Sequence, residues 1–435
     1  MELTLVALLL LGFLLAVLAA GLWIGLALLV TGAAAIAFLT QAPVGTMAAT
    51  AIWGDSNDWT LTALPMFLWM GEILYRTKVS DGLFRGLAPW LTAVPGRLLH
   101  VNVLGCAMFS AVSGSSTATC ATVSRIALPE LKKRGYPEPI TIGSLAGAGT
   151  LGILIPPSII MIVYAVAADV SILHLFIAGI LPGLLVTALF SAYILAYGLL
   201  RPQAIPREDA ADWSARLRGL RELAPSLLLI IGVITGMFSG VATATEVGAL
   251  GVLGALVIAV FMGTLNWRTF VESAYSAVAV TCMIGLILQG SSVLSAAMAF
   301  TGIPKALAQW VAAMQLNPYL VIAALCVVYL LLGTALEGVS MILLTTSIAL
   351  PIVAAAGFDP LWFGVFIVIM TELSTLSPPV GFNLFVLQMM TGRDAMYVTR
   401  ATMPFFILLV VAVAILAVFP EIVTWLPGRM SGPMK

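Results

Sequence analysis

Apolar runs fill this chain from Leu3 to Phe419, broken by short polar, glycine or proline interruptions. Runs of about 18 or more apolar residues are the length that crosses a hydrocarbon core. On that basis the chain reads as ten spans: Leu3–Ala20, Leu22–Gln41, Thr60–Tyr75, Ile140–Ala167, His174–Leu200, Ser226–Phe238, Glu246–Met262, Ala274–Ser295, Leu361–Met390 and Thr402–Phe419. Two of these, 140–167 and 361–390, carry a proline–glycine break at their centre. Two further segments, 98–128 and 319–350, read as pairs of short arms around a polar tip. From Thr117 to Leu128 there are 12 residues, only about 18 Å of helix at ~1.5 Å per residue. Such an arm enters and leaves on one side of a core about 30 Å thick. Segments 76–97 and 302–318 are amphipathic and lie along the interface. Ala42–Trp59 reads as a polar loop holding Asp55 and Asp58, and 201–225 as the longest polar linker.

The interruptions cluster between Ser113 and Ser158. There SGSST opens a polar tip, PELKKRGYPEP forms a basic loop, and GTLGILIPPS breaks the following run. In lipid, unpaired backbone is tolerated only where protein buries it or a cavity meets it. Two breaks close together are a candidate binding site; small residues also suit a helix-packing face. The pattern then recurs. Ile126-Ala127-Leu128-Pro129, Gly135, Leu154 and Pro156-Pro157 match Ile348-Ala349-Leu350-Pro351, Gly357, Leu376 and Pro378-Pro379, each 222 residues on. Nine of 32 positions are identical without a gap. Gly82, Leu87, Ala88 and Trp90 match Gly302, Leu307, Ala308 and Trp310 at a spacing of 220. The chain therefore divides into a first repeat (1–200), a linker (201–225) and a second repeat (226–420).

Composition agrees. The chain has 435 residues, 61% hydrophobic and 9% charged, with mean hydropathy +1.12, which is a polytopic membrane protein lying in a lipid bilayer. Zero formal net charge gives no reason to expect nucleic acid. The charges are segregated instead. With the N-terminus placed outside and the spans alternating, 16 of 19 basic residues fall inside and three outside, as the positive-inside rule expects. The first hairpin loop carries Lys132, Lys133 and Arg134; its partner, PIVAAAGFDP, carries no basic residue. The two repeats thus face opposite ways, and inverted repeats with discontinuous helices are a secondary-transporter plan. Cys106, Cys120, Cys282 and Cys326 lie in apolar runs without metal or redox spacing and read as buried thiols. His100 and His174 are too far apart in sequence to suggest a metal cluster.

The SGSSTAT tip, the IALPELKKRGY loop, the GTLGILIPPS break and the later SPPVGFN together resemble the large membrane subunit of TRAP (tripartite ATP-independent periplasmic) transporters. The resemblance covers essentially the whole chain. It implies an all-α polytopic fold with two inverted repeats, each holding a re-entrant hairpin and a broken helix, and an elevator-like movement. It implies sodium-driven symport of carboxylates such as C4-dicarboxylates or sialic acid into bacteria across the inner membrane, with both termini periplasmic. It implies no cofactor beyond sodium as coupling ion. Its expected partners are a periplasmic substrate-binding protein and a small four-helix membrane subunit, here a separate chain.

Sodium wants oxygen ligands, which unwound carbonyls, hydroxyls and half-helix ends supply. By motif position one set is Ser113, Gly114, Ser115, Ser116 and Thr117 with Gly149, Thr150 and Pro156. The second is Gly333, Thr334, Glu337 and Gly338 with Thr371, Glu372, Thr375, Ser377 and Pro378. Substrate candidates are Ser115, Ser116, Pro157, Ser158, Pro379 and Asn383, the last near a half-helix N-terminus. Five acids fall in or beside apolar runs: Glu72, Glu246, Glu272, Glu337 and Glu372. Intramembrane acids are functional suspects, and Glu337 and Glu372 lie in the site segments as a proton carrier, a sodium ligand or a helix-end hydrogen-bonding group. Arg125 reads as a snorkelling anchor. Three other readings remain: a stand-alone ion-coupled anion transporter of the same plan, a polytopic membrane enzyme and a channel. The enzyme lacks clustered acids, histidines or metal ligands at one face, and no phosphate-binding GxxxxGK[ST] loop supports an ATPase.

Overall fold

A computed structural model describes residues 3–77, 79–206, 211–334, 336–378 and 381–430. Pro379 and three of the basic residues counted above, Lys78, Arg207 and Lys435, lie outside the described residues. The described residues are helical throughout, without strands. The helices are α1 (Leu3–Ala19), α2 (Ile24–Leu39), α3 (Val44–Ser56), α4 (Ala63–Arg76), α5 (Val79–Leu91), α6 (Leu99–Ser113), α7 (Ser116–Lys133), α8 (Glu138–Leu154), α9 (Ile159–Ala167) and α10 (Ile172–Leu200). After the linker follow α11 (Trp213–Phe238), α12 (Ala244–Phe261), α13 (Trp267–Thr301), α14 (Ile303–Ala313), α15 (Pro318–Gly333), α16 (Gly338–Ala355), α17 (Pro360–Thr375), α18 (Phe382–Thr391), α19 (Ala395–Val418) and α20 (Glu421–Met430). Six of them are long and apolar enough to cross a membrane, and α8 with α9 forms a further span bent by 42°.

The repeat is visible in the element order. α7 and α16 each have 18 residues and begin 222 positions apart, as do α8 and α17. Gly114 turns the chain from α6 into α7 with φ +60, a left-handed conformation open to glycine. Ser115 then caps α7 by accepting from the Ala118 N–H, and Ser158 caps α9 by accepting from the Met161 N–H. Each cap restarts a helix where the apolar run is interrupted.

Several boundaries differ from the sequence reading. The hairpin arms do not stop at the prolines: α7 runs through Pro129 and α16 through Pro351. Proline near a helix end removes one donor but is tolerated when neighbours re-satisfy the freed carbonyl. The expected loop 42–59 is mostly helix, α3, and none of its residues is buried. Half of the linker is the start of α11, continuous through Pro225. Cys106 and Cys120 are buried, but Cys326 is half-buried and Cys282 exposed on α13.

The helices pack in two groups. α2 lies along α13, α4 against α12 and α13, and α5 against α11. In the second group α8 is surrounded by α6, α7 and α19. The halves cross over here: α9 packs on α16, and α18 packs on α7. Each hairpin therefore holds the far half of the other repeat's broken helix. Large aromatics fill this group. The buried Trp362 donates to the Leu416 carbonyl at 2.8 Å, and the Tyr164 hydroxyl donates to the Pro360 carbonyl at 2.7 Å.

Small residues set the α2–α13 contact. A Cβ added to Gly290 would sit 2.2 Å from the Gly25 carbonyl oxygen, so the backbones touch as small-residue membrane interfaces do. Gly290→Leu is expected to destabilise by about 1–3 kcal/mol or more through overpacking. Gly285→Leu, where nothing lies within 4 Å, is expected to melt like the parent. Thermal unfolding in detergent checks both.

Candidate ion and substrate site

The polar tip of the first hairpin meets α8 edge-on. Gly152 makes this possible: a Cβ there would lie 2.5 Å from the Ser115 carbonyl oxygen and 2.7 Å from Ser116 Cα. In the tip, Ser113 and Thr119 share a hydrogen bond at 2.7 Å, and Ser115 and Thr117 a longer one at 3.4 Å. Thr150 turns back to the Gly147 carbonyl at 2.6 Å. Pro156 and Pro157, joined by a cis peptide, and Ser158 are buried in the break between α8 and α9.

Across the crossover, the first hairpin touches the second repeat. Ser116 Oγ lies 3.2 Å from the Gly149 carbonyl and 3.2 Å from Glu372 Oε2. Glu372 Oε1 accepts from the Ile153 N–H at 3.3 Å. Asn383 Nδ2 donates to Ser116 Oγ at 3.0 Å and to the Ala146 carbonyl at 3.4 Å. Glu372 and Asn383 are both fully buried. This cluster joins α7, α8, α17 and α18.

The second tip is built differently. Glu337, not a serine, caps α16 by accepting from the Val339 N–H at 3.1 Å. Gly338 approaches Thr371, whose Cγ2 would be 2.4 Å from an added Cβ, and Gly333 approaches Ser374 in the same way at 2.1 Å. The Thr371, Ser374 and Thr375 hydroxyls each bond to a carbonyl one turn back. Thr334 does likewise to Leu331, at an exposed position. Ser377 is half-buried and Pro378 exposed.

Between the two tips lies a cavity of about 570 Å³. Its wall includes Ser113, Gly114, Ser115, Ser116, Thr117, Glu337, Gly338, Thr371 and Thr375, with Gly71, Glu72 and Tyr75 of α4 and Met283 of α13 opposite. The sequence candidates thus divide. These nine meet the cavity, while Gly149, Thr150, Glu372 and Asn383 form the dry layer behind it. Of the substrate candidates, Ser115 and Ser116 face the cavity; Pro157, Ser158 and Asn383 do not line it.

Sequence reasoning missed Tyr75. Its hydroxyl accepts from Arg125 Nη2 at 3.1 Å, with the guanidinium 5.7 Å from the ring centroid. The only sequence signal was an aromatic at a span end. Glu72 and Glu272 pair with Arg76, and Glu246 completes a capping box with Thr243, so three of the five acids are accounted for at helix ends.

Two broken helices, two capped hairpin tips and a polar cavity between them define a multi-pass membrane transport protein. The chain belongs to the family described as tripartite ATP-independent periplasmic transporter, DctM component, whose model matches residues 11–422. It is a permease and not an enzyme. It is 33% identical over 383 residues to a C4-dicarboxylate TRAP transporter large permease protein of Pseudomonas aeruginosa, covering 87% of this chain and 89% of that one. The sialic acid TRAP transporter large permease protein of Vibrio cholerae is 28% identical over 414 residues, covering 95% and 96%. The ectoine counterpart of Halomonas elongata is 29% identical over 368 residues, covering 84% and 86%. Among solved structures, the YdaH transporter of Alcanivorax borkumensis aligns with a TM-score of 0.66 at 14% identity, over 94% of this chain and 97% of that one; it shares the fold.

Proposed function

We propose that this permease carries a carboxylate-bearing organic acid into the cell with sodium, across a bacterial inner membrane. The observation that carries the reading is the pair of hairpin tips facing one cavity, each packed on the other repeat's broken helix. Such half-helix ends and unwound carbonyls suit an alkali cation beside an anionic substrate. The relatives named for C4-dicarboxylates, sialic acid and ectoine all handle carboxylate-bearing solutes, and a C4-dicarboxylate is the first substrate to try.

In this reading both termini are periplasmic and the two repeats are inverted. α6–α10 and α15–α20 move as one body against α1–α5 and α11–α14, as an elevator. A small four-helix subunit braces the second group, and a periplasmic binding protein delivers the substrate. Sodium is cargo here, held at the first tip by Ser113–Thr117 with the facing break, and at the second by Gly333–Gly338 with Thr371 and Thr375.

The test is uptake of labelled succinate into proteoliposomes holding this chain and the small subunit, with the binding protein outside. Uptake is expected only with an inward sodium gradient and the binding protein present. Uptake without the binding protein would favour a stand-alone anion transporter. Uptake driven equally by potassium would refute sodium coupling.

A further inference from the structure

We infer that Ser116, the Gly149 carbonyl, Glu372 and Asn383 form one buried cation site assembled from both halves of the chain. It rests on the sodium reading above and names the ligands that reading leaves open.

The first argument is charge. Glu372 is fully buried. Among the described residues no basic side chain pairs with it; its contacts are the Ser116 hydroxyl and the Ile153 N–H. A carboxylate taken out of water without a counter-charge costs many kcal/mol. A monovalent cation in the cluster brings its net charge to zero.

The second argument is hydrogen count. Ser116 has one hydroxyl hydrogen, yet its oxygen lies 3.2 Å from two acceptors, the Gly149 carbonyl and Glu372 Oε2. The Asn383 amide already donates to that oxygen. One of the two oxygen–oxygen contacts therefore has no hydrogen when Glu372 is ionised. A cation among the three oxygens removes the shortfall, because it needs acceptors alone.

The third is an orphan acceptor. Asn383 is fully buried, both its described hydrogen bonds leave from Nδ2, and Oδ1 has no partner. An amide oxygen is a hard ligand of the kind alkali and alkaline-earth cations take. Gly149 lets the cluster close: a Cβ there would stand 2.7 Å from Cys120 Cβ and 3.3 Å from Asn383 Nδ2. One carboxylate with three neutral oxygens suits a single positive charge better than a double one.

The site has a consequence for coupling. Its ligands come from α7, α8, α17 and α18, so the cation clamps the first hairpin to both broken helices. Loaded, the body crosses the membrane with the cluster neutral. Empty, it carries an uncompensated carboxylate, which opposes movement. Asn383 thereby acts on the ion rather than on the substrate.

The test uses sodium alone. The purified full chain is melted in detergent while sodium chloride replaces choline chloride at constant ionic strength. A ligand specific to the folded state raises stability with its own saturation midpoint. Glu372→Gln and Asn383→Leu are each expected to raise the sodium midpoint at least about tenfold, which is ~1.4 kcal/mol of lost affinity. Binding of radioactive sodium is expected to fall by one ion per chain in Glu372→Gln. If the parent responds to sodium and both variants keep its midpoint, this site is wrong while sodium coupling stands. A parent that does not respond to sodium overturns both. If Glu372→Gln does not fold, Glu372→Asp takes its place. It keeps the charge and withdraws the carboxylate, so a raised midpoint supports the site and an unchanged one overturns it.

Discussion

Gly152→Leu is expected to abolish sodium-dependent stabilisation and substrate uptake together. The position is a backbone-to-backbone contact: a Cβ would meet the Ser115 carbonyl oxygen at 2.5 Å and Ser116 Cα at 2.7 Å. Neither atom belongs to a flexible side chain that can swing away. The hairpin tip must lift off α8, and with it Ser116 leaves the Gly149 carbonyl and Glu372. Overpacking of this kind typically costs about 1–3 kcal/mol, which the rest of the helix packing can absorb. The ligand geometry cannot, since a displacement of about 1 Å is enough to cost two orders of magnitude at a positioned site. The protein is therefore expected to fold, to melt somewhat lower, and to show no sodium-specific rise. Uptake in proteoliposomes should fall to the level of empty vesicles. Normal sodium dependence in this variant would place the ion elsewhere.

The parts of this site differ in how far the sequence exposed them. Repeats were legible because rare residues recur at a constant interval, Pro129 with Pro351 and Pro156 with Pro378, and α7, α8, α16 and α17 follow that interval. The caps were legible too: Ser115 and Ser158 stand where apolar runs restart. Helix ends at proline were not, because a lost donor is a local penalty and the packing around α7 and α16 is not local. α3 was hidden for a related reason. Its sequence is mixed in polarity and its residues stay unburied, so hydrophobic period gave no signal there.

The crossover was beyond the sequence altogether. Ser116 reaches Glu372 across 256 positions and Asn383 across 267, and nothing in the 222-residue repeat says that a tip pairs with the opposite break. Motif order assigned Glu372 to the second ion set and Asn383 to the substrate. Three-dimensional packing brings both to the first hairpin. The one usable signal was a single acid inside an otherwise apolar run beside a break, which lipid penalises heavily.

Gly71→Leu is expected to separate ion binding from movement. Gly71 lies on α4, which packs on α6, and its added Cβ would be 3.0 Å from the Ser113 carbonyl oxygen and 3.2 Å from that of Val112. It also faces the central cavity, so a leucine there both crowds the tip and fills space between the two helix groups. The ion cluster of α7, α8, α17 and α18 does not include α4. Sodium stabilisation should therefore survive with an unchanged midpoint. Uptake should fall about tenfold or more, because the arrangement seen here would cost an extra ~1.4 kcal/mol or more relative to the other end of the cycle. Uptake at the parent rate would mean that the tip need not come this close to α4 during transport. Loss of sodium stabilisation would instead make α4 part of the ion site, and the fixed and moving groups would have to be redrawn with α4 on the moving side.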